Sequence, residues 1–216
     1  GNRQTMSLGM TMSQLTNAQA YRPWPELWEC QAPQGERLEQ YVAREVRGEP
    51  HIGETPVDIV DNVERHAAFA EKAVRKAAAH VTRDHEEFAR LSRDIQAIAL
   101  MTRAYTNKVR AAIRILMYKE LSSGNYLQHV ELLEEAAPEI LAGLEEYRKL
   151  TELTSGAYLY ANSMQTPQRK VPFPDGERYG HWEACLPHYE QEYAEFVRQV
   201  AELKAGRLPQ STLESV

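Results

Sequence analysis

The sequence predicts an all-α protein, an up-and-down helical bundle of about four main helices with a loop-rich N-terminal leader. Three observations carry that expectation. Apolar residues recur at three- and four-residue steps over long windows, no segment reads as a strand ladder, and clusters of Pro, Gly, Ser and Asn separate the periodic windows. A chain of 216 residues is long enough to bury one substantial core. The reading divides it into an irregular leader with one short helix over 1–50, a helical bundle over 51–207 and a frayed tail over 208–216.

In the leader, Met6, Met10 and Met12 follow no sustained period. The run Tyr21-Arg22-Pro23-Trp24-Pro25 forbids regular helix, because proline lacks an amide hydrogen and restricts the residue before it. A short helix is expected from Glu36 to Arg47, with Leu38, Tyr41, Val42 and Val46 on one face and Gly48-Glu49-Pro50 as its stop. Thr55 then supplies a cap, Pro56 sits where a missing N–H costs nothing, and Asp58 meets the positive helix end. That helix is predicted from Pro56 to about Val81, carrying Val57, Val60, Val63, Ala67, Ala70, Val74, Ala77 and Val81.

A second window holds Phe88, Leu91, Ile95, Ile98, Thr102, Tyr105, Val109, Ala112 and Leu116, an unbroken three-four seam. Ser122-Ser123-Gly124-Asn125 supplies the turn. A third helix follows with Val130, Leu133, Ala137, Ile140, Leu144, Tyr147 and Leu150, and Pro138 either kinks it or divides it in two. From about Asn162 to Gly180 the composition is that of a long loop. The last helix is predicted from near His181 to about Lys204, with Leu186, Tyr189, Tyr193, Phe196, Val200 and Leu203 inside and Gly206 as its stop.

Composition excludes several partners. Lys+Arg number 25 against 31 Asp+Glu, and a net charge of -6 gives no general attraction for nucleic acid or anionic membrane. No apolar run approaches the roughly 20 residues that span a bilayer. Gly1 without an initiator methionine reads as a tag-cleavage scar followed by an internal segment, which would take any targeting signal out of view. Cys30 and Cys185 fit no CxxC spacing, and they read equally as one long-range staple or as two thiols.

The search for chemistry is largely negative. None of the seven histidines forms an i,i+4 pair or an HExxH pattern, so no metal site and no cofactor is expected. Adjacent acids such as Glu134-Glu135 and Glu145-Glu146 splay around a helix instead of converging on one atom, and no nucleophile elbow or phosphate-binding glycine loop occurs. No catalytic residue is assigned. What stands out is aromatic and polar side chains in irregular segments: Trp24 and Trp28 in the leader, and Gln165, Gln168, Arg169, Tyr179, His181 and Trp182 in and after the long loop. Flat aromatic faces stack on sugar rings while Arg, Gln and His bind hydroxyls or carboxylates, so these eight are the candidate carbohydrate contacts. The competing reading is that the tryptophans plug the open end of the bundle.

Gly53-Glu54-Thr55-Pro56-Val57-Asp58-Ile59-Val60, the run from Ala99 to Ala112 with Tyr105 and Lys108, and His181-Trp182 before Leu186-Pro187 resemble helical regions that follow catalytic domains in large, secreted glycoside-hydrolase-like proteins of gut and environmental bacteria. The resemblance covers about residues 50 to 205 and carries no catalytic motif. It implies a non-catalytic helical module of a larger polysaccharide-processing protein, secreted or periplasmic with its parent, supporting or contacting carbohydrate beside a parent catalytic domain. Two other readings stand beside it: a protein-interaction or oligomerisation bundle, favoured by the long seam, and a small all-α enzyme, which would need convergent carboxylates or histidines in one pocket.

Overall fold

A computed structural model describes residues 9–17, 35–122, 125–158 and 180–207. They form six helices: α1 Met12–Thr16, α2 Leu38–Arg47, α3 Pro56–Ala78, α4 His85–Leu121, α5 Val130–Thr154 and α6 Trp182–Lys204. Among the described residues there is one isolated bridge, Gly35 with Glu54, and otherwise only helix and connection. The protein is all-α.

Local chemistry explains most boundaries. The Thr55 hydroxyl accepts the Asp58 amide at 3.2 Å while the Asp58 carboxylate accepts the Thr55 amide at 3.0 Å, a reciprocal cap at the start of α3. α3 ends at Ala78, three residues short of the expected Val81. The His80 amide turns back to the Ala77 carbonyl at 2.8 Å, and this tighter bond closes the helix before the β-branched Val81 and Thr82. Gly48, in the left-handed region at φ 65, lets α2 end with the Glu49 amide on the Arg44 carbonyl at 2.9 Å. α1 was not anticipated. Its Thr11–Gln14 capping box is complete, but five residues are too few to show a period.

α4 is the pillar of the bundle: α1, α2, α3 and α5 all pack on it, and α6 packs on α5. α3, α4, α5 and α6 run alternately up and down. Arg103 reaches Glu71 on α3 at 3.1 Å and Arg110 reaches Glu64 at 2.6 Å, so a seven-residue step on α4 is matched by the reverse step on α3. Across the other side, Arg103 also holds Glu146 of α5 at 2.6 Å and Arg114 holds Glu135 at 2.6 Å. Lys204 meets Glu134 and Arg148 meets Glu190, fixing α6 antiparallel to α5.

The predicted seam on α4 is used in halves. Its C-terminal half, Val109, Ala112 and Leu116 with Tyr105 at the margin, lies in the main buried cluster with Met12, Leu15 and Val42 from α1 and α2. In the N-terminal half Leu91 is 46% and Ile98 66% exposed, and the buried positions are Ala97, Ala99, Leu100 and Ala104. The small Ala97 and Ala104 admit α5 closely. A Cβ on Gly143 would stand 2.9 Å from the Ala104 carbonyl oxygen. The second cluster formed there also takes Leu144, Tyr147 and Leu150 of α5 and Cys185 and Tyr189 of α6. α5 runs through Pro138 as one helix, so the division into two helices does not occur. α6 likewise accommodates Pro187 in its second turn, where the ring costs a single backbone bond.

The N-terminal segment is fastened to the bundle by a buried ion pair. Lys108 lies 2.7 Å from Glu192, donates to the Met10 carbonyl at 2.9 Å and sits 3.7 Å above the Tyr189 ring. Glu192 in turn accepts the Met12 amide at 2.5 Å. Burial lowers the Lys108 pKa and the Glu192 charge opposes that effect.

Candidate functional site

The described candidates, His181 and Trp182, meet at one end of the bundle, where α4 starts, α5 ends and α6 begins. His181 is the N-cap of α6. Its Nδ1 accepts the Glu183 amide at 3.1 Å, which places the ring proton on Nε2, 3.1 Å from the Tyr158 carbonyl oxygen. Both ring nitrogens are therefore engaged by the fold. Trp182 is half-buried over the second cluster, with its ring edge-on to Tyr158 at 6.0 Å and to His181 at 5.6 Å.

Tyr158 links this corner to α4 by donating its hydroxyl to the Asp94 carboxylate. Burial, then the bond to Asp94, pushes the phenol up to about 12, against the opposing charges of Arg93 and Arg90. Asp94 also receives Arg90, and Ser155 donates to Glu183 at 3.1 Å. Trp24, Trp28, Gln165, Gln168, Arg169 and Tyr179 lie outside the described residues, as does Cys30. Cys185 is a free thiol inside the second cluster, and burial pushes it up to about 12 although Tyr147 opposes the rise.

Beside the corner, α3 and α4 border an open groove of about 430 Å³. Val74, Phe88 and Leu153 supply its apolar part and Arg75, Arg93, Ser92 and Gln96 its polar part. Sequence reading missed this site because Phe88 counts there as seam and Arg75 and Arg93 form no motif. A signal was present: Arg93 has no acid three or four residues away in either direction, and the only acid so placed for Arg75 is Glu71, which Arg103 holds.

Several other charged groups of the bundle act as clamps. Glu71 and Glu146 flank Arg103, Glu64 holds Arg110, Glu135 and Glu139 flank Arg114, and Glu192 holds Lys108. Each of these carboxylates faces a cation instead of a second carboxylate across an open cleft. Among the described residues no group of three or more His, Cys, Asp or Glu could hold a metal ion, and no helix is long and apolar enough to cross a membrane.

The chain is similar in fold and sequence to part of a GH138 enzyme targeting pectin rhamnogalacturonan II, with a TM-score of 0.79 and 34% identity. The match takes in 94% of this chain and 29% of that enzyme, so the chain spans under a third of its structural neighbour's length. No protein-family model and no curated protein matches the chain.

Proposed function

We propose that this chain is a non-catalytic helical module of a larger polysaccharide-processing protein, secreted or periplasmic, that supports or contacts carbohydrate beside a catalytic domain. The observation that carries the reading is the match to the GH138 enzyme, nearly complete for this chain and under a third for that enzyme. The carboxylates clamped by cations support a scaffold role, since glycoside hydrolysis needs two carboxyl groups flanking the scissile bond. Incubation of the chain with rhamnogalacturonan II, followed by chromatography of released sugars, is expected to give none. Sustained release would select the small all-α enzyme instead. On a glycan array the chain is expected to bind, and Trp24→Ala, Trp28→Ala and Trp182→Ala together are expected to weaken binding of neutral glycans with helicity intact.

A protein-contact role has its own observation, the exposed Leu91 and Ile98 on one stripe of α4. Under the carbohydrate reading the chain sediments as a monomer. A dimer that dissociates in Ile98→Glu, with no glycan bound, would move the function to that stripe.

A further inference from the structure

We propose that the groove between α3 and α4 binds a carboxylate-bearing sugar, an inference that rests on the carbohydrate-contact reading and gives it a ligand class. Arg75 in the last turns of α3 and Arg93 near the start of α4 border the same groove. On α4, Arg90, Arg103, Arg110 and Arg114 each reach a carboxylate. Arg75 and Arg93 reach none among the described residues, although acids outnumber bases in the whole chain. Asp94, next to Arg93, is taken by Tyr158 and Arg90, and Glu71, one turn before Arg75, is taken by Arg103.

Two guanidinium groups on one groove, with no carboxylate partner among the described residues, favour an anionic ligand there. Their planar donor forks fit a carboxylate two bonds at a time. The apolar part decides between an inorganic anion and a sugar acid. Val74, Leu153 and the half-buried Phe88 offer a surface for the C–H face of a pyranose ring, which phosphate or sulfate would leave uncovered. Gln96 carries a donor and an acceptor side by side, the pair that a ring hydroxyl uses.

Calorimetric titration of the chain with trigalacturonate tests this, with galactotriose as the neutral comparator and inorganic phosphate as the simple anion. Trigalacturonate is expected to bind in a salt-sensitive manner. The double variant Arg75→Gln/Arg93→Gln is expected to bind about tenfold more weakly or worse. Neither side chain bonds another described residue, so circular dichroism should match the parent, and Arg65→Gln, also exposed on α3, should bind as the parent does. Equal affinity for galactotriose, equal affinity for phosphate, or undiminished binding in the double variant would each overturn the groove assignment. Binding of neutral glycans that the double variant leaves untouched would sink the groove and spare the carbohydrate-contact reading. Binding of no glycan at all would remove both.

Discussion

His51 shows how much one side chain of the N-terminal segment does. Its Nδ1 and Nε2 each stand 2.7 Å from a carboxylate oxygen, of Glu36 and Glu45 respectively, so both nitrogens must donate and the ring is an imidazolium stacked on Tyr41. The bonds to Glu45 and Glu36 hold its pKa above 6.5 against the effect of burial. A base whose pKa is raised by folding stabilises fully below its unfolded value and loses that contribution as pH rises through the folded one. His51→Gln should therefore lower the melting temperature at about pH 5.5 and have little effect at about pH 9. Equal losses at both would show that packing on Tyr41 is the whole contribution. Lys108 makes the second prediction at this scale. Lys108→Ala strands a carboxylate that keeps only 18% of its side chain exposed, and should cost about 3 kcal/mol in urea unfolding, toward the low end for breaking a buried pair. Neither role was legible in the sequence, because His51 and Lys108 meet their partners through the tertiary fold.

At the scale of the element, what could be read and what could not divide along a physical line. Starts and stops were legible wherever they depend on neighbours in sequence, as with Thr55, Pro56 and Asp58, or with Gly48. The face each helix buries was legible only where its neighbour follows the apolar stripe. On α4 the period was right, yet Leu91 and Ile98 stay outside, because α5 approaches along Ala97 and Ala104, which apolar counting undervalues. The same close approach makes Gly143 informative. An alanine there gains about 1 kcal/mol of helix propensity but drives its Cβ onto the Ala104 backbone oxygen. Gly143→Ala is expected to destabilise by about 1–3 kcal/mol, read from chemical denaturation. A stabilised variant would mean that α4 and α5 separate more easily than their contact suggests. The candidate site divides in the same way. The helix start at His181 was legible from local sequence, while the groove depends on how α3 lies across α4.

For the whole molecule, the position of α4 predicts where the bundle opens. Ala104, Thr106, Lys108, Val109, Ala111, Ala112, Ile113, Ile115 and Leu116 are all buried, whereas α3 buries only Pro56, Val60 and Ala67. Amide exchange followed by mass spectrometry should leave residues 104–116 protected longest and exchange the last two turns of α3 first among the four long helices. Uniform protection would mean that the bundle opens only as a unit. The fastening at Lys108 also has a mechanical meaning. Residues 10–12 join the bundle midway along its longest helix through two charge-assisted bonds, one into α4 and one into α6. A pull on the N-terminal end would load those two bonds together, as a fuse that must give way before tension can part α4 from α6.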